Sequence, residues 1–218
     1  MFSHPALRLG LLQTGTGEFY NRPMLPTPTV ELVLEECRKF DNAIWNELGD
    51  RALRQLLEHF PRNTDASHVL VKVLVLNKLY STRVLDNDVE PLARHITRIG
   101  IDRLLEQGAL DAVERIYTCP PLKMYYSFAT KFCSWHNPNA YPIYDRYTAR
   151  CLWTYMKQEK AVNQEPFRAF SLDSLWNYDK FVATVTAFRD RYRLDGLTFR
   201  QIDKFLWFTG GRILGKLN

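Results

Sequence analysis

The chain has 218 residues, 46% of them hydrophobic and 24% charged, which is enough apolar mass for a real core in one domain or two small lobes. Neither a disordered tail nor a membrane protein is expected, because no apolar run approaches the roughly 18 residues of a spanning helix. The N-terminus has no charged-then-apolar leader, so a cytoplasmic protein is expected. A formal net charge of +5 suits a polyanionic partner, and nucleic acid is the commonest one.

Residues 1–29 contain Gly10, Gly15, Gly17, Pro23, Pro26 and Pro28 and read as an irregular arm, leaving 30–218 as a single domain. Thr29 has the chemistry of an N-cap for a helix running to about Leu48, with Val33, Cys37, Phe40 and Leu48 among the apolar residues on one face. A shorter helix is predicted over Asp50–Phe60, stopped by Pro61. Asp65 or Ser67 can cap the next, which runs to about Tyr80. It holds the longest apolar stretch, Val69–Leu76, interrupted by Lys72. Helical periodicity returns over Asn87–Ile99, Ile101–Glu106 and Leu110–Tyr117, the last ended by Pro120 and Pro121. Met124–Tyr147 is dense in aromatics, and helices resume over Arg146–Gln158, Tyr178–Arg193 and Thr198–Phe208. With no repeat and no β-hairpin signal, the predicted class is all-α. The four cysteines are spaced too widely for a zinc or iron–sulfur ligand set, so reduced, half-buried thiols and no metal or organic cofactor are expected.

Two segments concentrate the chemistry. Tyr125-Tyr126-Ser127-Phe128-Ala129-Thr130-Lys131 is followed, after a short loop, by Tyr141-Pro142-Ile143-Tyr144-Asp145. Asp145 can cap the helix that begins at Arg146, and Arg146 and Arg150 follow it on that helix, where they can meet phosphates. His136 can cap a helix end or donate into a pocket. Trp135 can serve as core or as pocket wall.

These segments resemble the helix–hairpin–helix DNA glycosylase superfamily, the group of endonuclease III and the 8-oxoguanine glycosylases. In that group a hairpin of the form Leu-Pro-Gly-Val-Gly-polar-Lys leads into a helix, and a later Pro-x-x-Asp brings a carboxylate to face the lysine. By that resemblance Lys131 is the catalytic lysine and Asp145 the catalytic aspartate. Ser127 and Ala129 stand at the hairpin glycines, and about 110–150 is the helix–hairpin–helix region of a two-lobed fold with a cleft between the lobes. Phosphate contacts are implied for Lys123, Ser127, Ala129, Arg146 and Arg150.

The C-terminal Ile202-Asp203-Lys204-Phe205-Leu206-Trp207-Phe208-Thr209-Gly210 looks like the last helix of the archaeal-type members and implies Asp203 and Trp207 as base-pocket residues. Asn77 sits where the family places a polar probe of the opened duplex, and Trp135 and His136 complete the candidate pocket. The chemistry suits these residue types. Breaking an N-glycosidic bond builds positive charge on the sugar, which a carboxylate stabilises, and a desolvated amine can attack the anomeric carbon. The implied activity is excision of a flipped, modified base from double-stranded DNA by a monomer needing no protein partner, with or without strand cleavage. Oxidised purines and, in bacterial antiviral defence, bulky modified cytosines compete as substrates. A DNA-binding module that has lost its chemistry is the alternative of another class.

Overall fold

The computed structural model describes residues 24–42 and 44–215; most of the expected arm, residues 1–23, lies outside them. Every regular element among the described residues is helical, in the order α1 (Val30–Asp41), α2 (Ile44–His59), α3 (Ala66–Tyr80), α4 (Asp86–Arg98), α5 (Asp102–Gln107), α6 (Asp111–Tyr117), α7 (Tyr126–His136), α8 (Arg146–Ala161), α9 (Tyr178–Arg191) and α10 (Phe199–Ile213), with a 3-10 turn at Asp173–Trp176 before α9. The all-α class is therefore observed. None of these helices is long and apolar enough to cross a membrane.

Thr29 caps α1 by accepting the Leu32 N–H, but the single helix expected to Leu48 is two. Asp41 and Asn42 are weak helix formers whose side chains compete with the backbone, and the Asp41 carboxylate instead takes Lys204 of α10. Asp65 caps α3, and Lys72 does not break its apolar stretch by facing water. Its ammonium is fully buried, donating to the Arg62 carbonyl at 3.0 Å and to Asn63 Oδ1 at 2.8 Å, while Val71 and Leu74 are exposed.

The hairpin also differs from expectation. Ser127 and Ala129 lie inside α7, and the turn is residues 118–125, joining α6 to α7, which pack on each other. Tyr125, Tyr126 and Phe128 are buried, and this apolar anchoring draws the helix start back over the positions expected to form the turn. Further along the chain, α10 is set by a capping box between Thr198 and Gln201 and packs on α8 and α1. Gly210 makes that approach possible, because a β-carbon there would stand 2.1 Å from the Tyr147 carbonyl oxygen. One continuous core joins buried residues from α1 to α10, and Cys37, Cys119, Cys133 and Cys151 are free thiols buried in the structure rather than half-exposed.

Candidate active site

The segment Tyr141–Asp145 has no regular structure, so its backbone groups need partners from elsewhere. Nearly every residue finds one. The Tyr141 hydroxyl meets the carbonyls of Leu104 (3.0 Å) and Ala109 (2.9 Å), and the Pro142 carbonyl accepts from the Tyr178 hydroxyl at 3.0 Å. The Ile143 N–H donates to Asp203 Oδ2 at 2.9 Å, and the Tyr144 N–H donates to Thr130 Oγ1 at 3.2 Å. The Tyr144 carbonyl accepts from Ser127 Oγ at 3.0 Å. Asp145 then caps α8, its Oδ1 accepting the Thr148 N–H at 2.9 Å. Helices α7, α9 and α10 thus hold the carboxylate of Asp145 in place, as a catalytic group requires.

Lys131 lies one turn along α7 from Ser127 and is only 4% exposed. Its Nζ donates to Ser127 Oγ at 2.7 Å, and that hydroxyl gives its own proton to Tyr144. Burial holds the amine below the ordinary lysine range, opposed by the negative fields of Asp145 and Asp203 and reinforced by Arg200. Asp203 is also 4% exposed, and burial pushes its carboxyl well above the usual range.

Lys131, Asp145, Asp203 and Trp207 line one cleft of about 1170 Å³. Trp207 meets Phe40 and Tyr147 edge-on, with ring centroids 5.5 and 5.6 Å away. On the same cleft Trp176 is half exposed and stacks obliquely against Tyr126 and Tyr144. Cations stand around it as well: Arg83 and Lys123 from two loops, and Arg146 and Arg150 from α8. Among the described residues no cluster of histidine, cysteine and carboxylate side chains could hold a metal ion.

The other candidates fall elsewhere. Ala129 is fully buried in α7 and touches no surface that a phosphate could reach. Asn77 is occupied by its own loop: Nδ2 donates to the Val84 carbonyl at 2.8 Å, while Oδ1 accepts from Thr82 Oγ1 at 2.9 Å and the Val84 N–H at 3.0 Å. It braces Ser81 and Arg83, two non-glycine residues with left-handed φ of 47° and 63° whose loop does line the cleft. Trp135 lies under the Arg200 guanidinium, 4.8 Å from its ring, beside a separate cavity of about 440 Å³.

His136 is turned away from the cleft. Its Nδ1 faces the Phe132 carbonyl at 2.8 Å and therefore carries the proton, so Nε2 accepts from Asn63 Nδ2 at 3.3 Å and Lys72 Nζ at 3.4 Å. In both Asn77 and His136, the polar groups are taken up within the fold, because a polar residue near a helix end is as useful to the fold as to a ligand.

Arg200, Asp50 and Tyr80 were missed. One Arg200 Nη bonds Asp50 (3.1 Å) and the Tyr80 hydroxyl (2.8 Å), and Tyr80 donates to Asp50 at 2.9 Å. This cluster forms a wall of the cleft. The available signal was Arg200 three residues before Asp203 on one helix face. Its partners come from α2 and α3, which no local pattern connects.

The protein is all-helical among the described residues, and its cleft gathers the buried Lys131 amine, the carboxyl groups of Asp50, Asp145, Asp173 and Asp203, and an aromatic wall. The chain belongs to the HI_0787_N family, described as an N-terminal domain, whose model matches residues 32–140. It is similar to an uncharacterized protein of Haemophilus influenzae, 34% identical over 152 residues, covering 68% of this chain and 69% of that protein. No solved structure matches the chain. The family match includes Asp50, Tyr80 and Lys131 and ends before Asp145, Arg200 and Asp203, so the cleft is assembled from both sides of that boundary.

Proposed function

We propose that the protein is a DNA glycosylase of the two-lobed helix–hairpin–helix kind, which flips a modified base into the cleft and releases it. The observation that carries this reading is the convergence of the buried Lys131 amine and the helix-capping Asp145 carboxylate on one aromatic-walled cleft. The α6–α7 hairpin and the cations around the opening support it, since one can steer and the other bind a phosphate backbone.

Lys131 is the nucleophile. Its nitrogen bonds to the anomeric carbon as the glycosidic bond breaks and the bonding pair departs with the base. Asp145 is the electrostatic partner, stabilising positive charge on the sugar. Oxidised purines and bulky modified cytosines compete as the base released.

Borohydride trapping on a duplex with an abasic site, together with excision from a panel of modified-base duplexes, tests the reading. The wild-type protein should form a covalent adduct and release one class of base. Lys131→Gln should lose both activities. DNA binding with neither adduct nor release would leave a DNA-binding module instead.

A further inference from the structure

Resting on the glycosylase reading, we propose that Asp203 is the proton relay of base release: its Oδ1 hands a proton to the departing base and takes one back from the Lys131 nitrogen. Asp203 projects from α10 into the cleft that Lys131 also lines. Its Oδ2 accepts the Ile143 N–H at 2.9 Å, while Oδ1 has no hydrogen-bond partner among the described residues. The nearby cations do not pair with it. Arg200, one turn earlier, is engaged by Asp50 and Tyr80, and Lys131 gives its hydrogen bond to Ser127.

A carboxylate buried with one N–H donor and one orphaned oxygen is a poor charged group, whereas a carboxylic acid there is a usable donor. Four groups act on it: Arg200 on its own helix, Lys131 on α7, Asp145 at the start of α8 and Tyr178 on α9. Burial outweighs the pull of Arg200, Lys131 and the Ile143 N–H toward the ionised form, and Asp145 adds to the push upward. The same burial favours the neutral amine of Lys131. Burial thus favours the neutral form of both groups on the wall of one cleft. Asp145 suits the other role, because its carboxylate sits at the positive end of α8.

The step balances. The Lys131 nitrogen bonds to the anomeric carbon, the carbon–base bond breaks, and the pair on the base takes the Asp203 proton. The new secondary ammonium at Lys131 then returns a proton to the Asp203 carboxylate. The net change moves one amine hydrogen to the base, and no co-reactant is consumed.

Asp203→Asn keeps an oxygen for the Ile143 N–H but has no acidic proton. Two single-turnover measurements separate its effects: excision from the duplex identified in the modified-base panel, and borohydride trapping on an abasic duplex, where no base remains to protonate. Excision should fall about a hundredfold, as for loss of a general acid, while trapping stays within about threefold of wild type. In the wild-type protein, excision should pass through a maximum, rising as the amine is freed and falling at higher pH as the acid is lost, whereas trapping should rise without that fall.

Excision by Asp203→Asn within about threefold of wild type overturns the relay. A parallel loss of excision and trapping also overturns it, leaving Asp203 as a brace for Ile143. If the variant does not fold, the wild-type pH profiles decide, and excision that does not decline toward high pH is then the overturning result. Absence of both trapping and base release by the wild-type protein, with Asp203 intact, marks failure of the glycosylase reading itself.

Discussion

Gly210 and Tyr147 bring α10 and α8 into backbone contact. A β-carbon on Gly210 would lie 2.1 Å from the Tyr147 carbonyl oxygen and 2.7 Å from its carbon. Both atoms belong to backbone, so neither can swing aside. The contact sets the register of the two helices that carry Asp145, Asp203 and Trp207. Gly210→Ala should therefore cost about 3 kcal/mol, the upper range for overpacking, and should perturb the cleft as well. Thermal unfolding and the fluorescence of the tryptophans measure the two effects. A melting temperature equal to wild type would show that the helices separate freely.

Asp145→Asn isolates the carboxylate's charge from its capping role. Asparagine is as good an N-cap as aspartate, so the Thr148 N–H keeps its acceptor and the fold should be retained. Base release should fall about a thousandfold, as when a group acting on the transition state is lost, with DNA affinity within about threefold of wild type. Single-turnover excision and equilibrium binding on one duplex supply both numbers. Excision near the wild-type rate would remove Asp145 from the mechanism.

Lys123 and Arg146 are exposed at the cleft and come from different elements, the hairpin turn and the first turn of α8. If both neutralise phosphates, DNA affinity should fall steeply with salt, with a log–log slope of about −0.9 per contact. Replacing both by alanine should make that slope shallower by about 2. A wild-type slope near zero would exclude a phosphate footprint on this face.

His136 makes acid stability a readout of its network with Lys72 and Asn63. Burial lowers its pKa from 6.5 to about 4, and the charge of Lys72 adds to the effect. Between these values the unfolded chain binds more protons than the folded one, so stability increases with pH across the window and is lost as pH falls from 6.5 toward 4. The loss from this group should reach about 3 kcal/mol. Urea unfolding at a series of pH values should show it, and His136→Gln should flatten the dependence. An unchanged profile in the variant would place the acid sensitivity elsewhere.

Much of the fold was legible in local patterns, because helix formation depends on neighbours three and four residues apart. Thr29, Asp65, Asp145 and Thr198 each cap a helix with a side chain bonded within the next turn, and a capping residue is visible in sequence. Lys131, Asp145, Asp203 and Trp207 could also be singled out, through motif spacing and family resemblance. Their meeting on one cleft depends on long-range packing, above all on the missing side chain at Gly210 and on the pinning of Tyr141–Asp145 by α7, α9 and α10. Tertiary structure alone decided which polar residues serve the fold. Asn77, His136 and Lys72 have the same chemistry as ligand-binding groups, but their hydrogen bonds are taken up inside the protein. It also decided the state of Asp203, since a carboxyl group's charge is set by the donors and burial around it, and those come from residues far away in the chain.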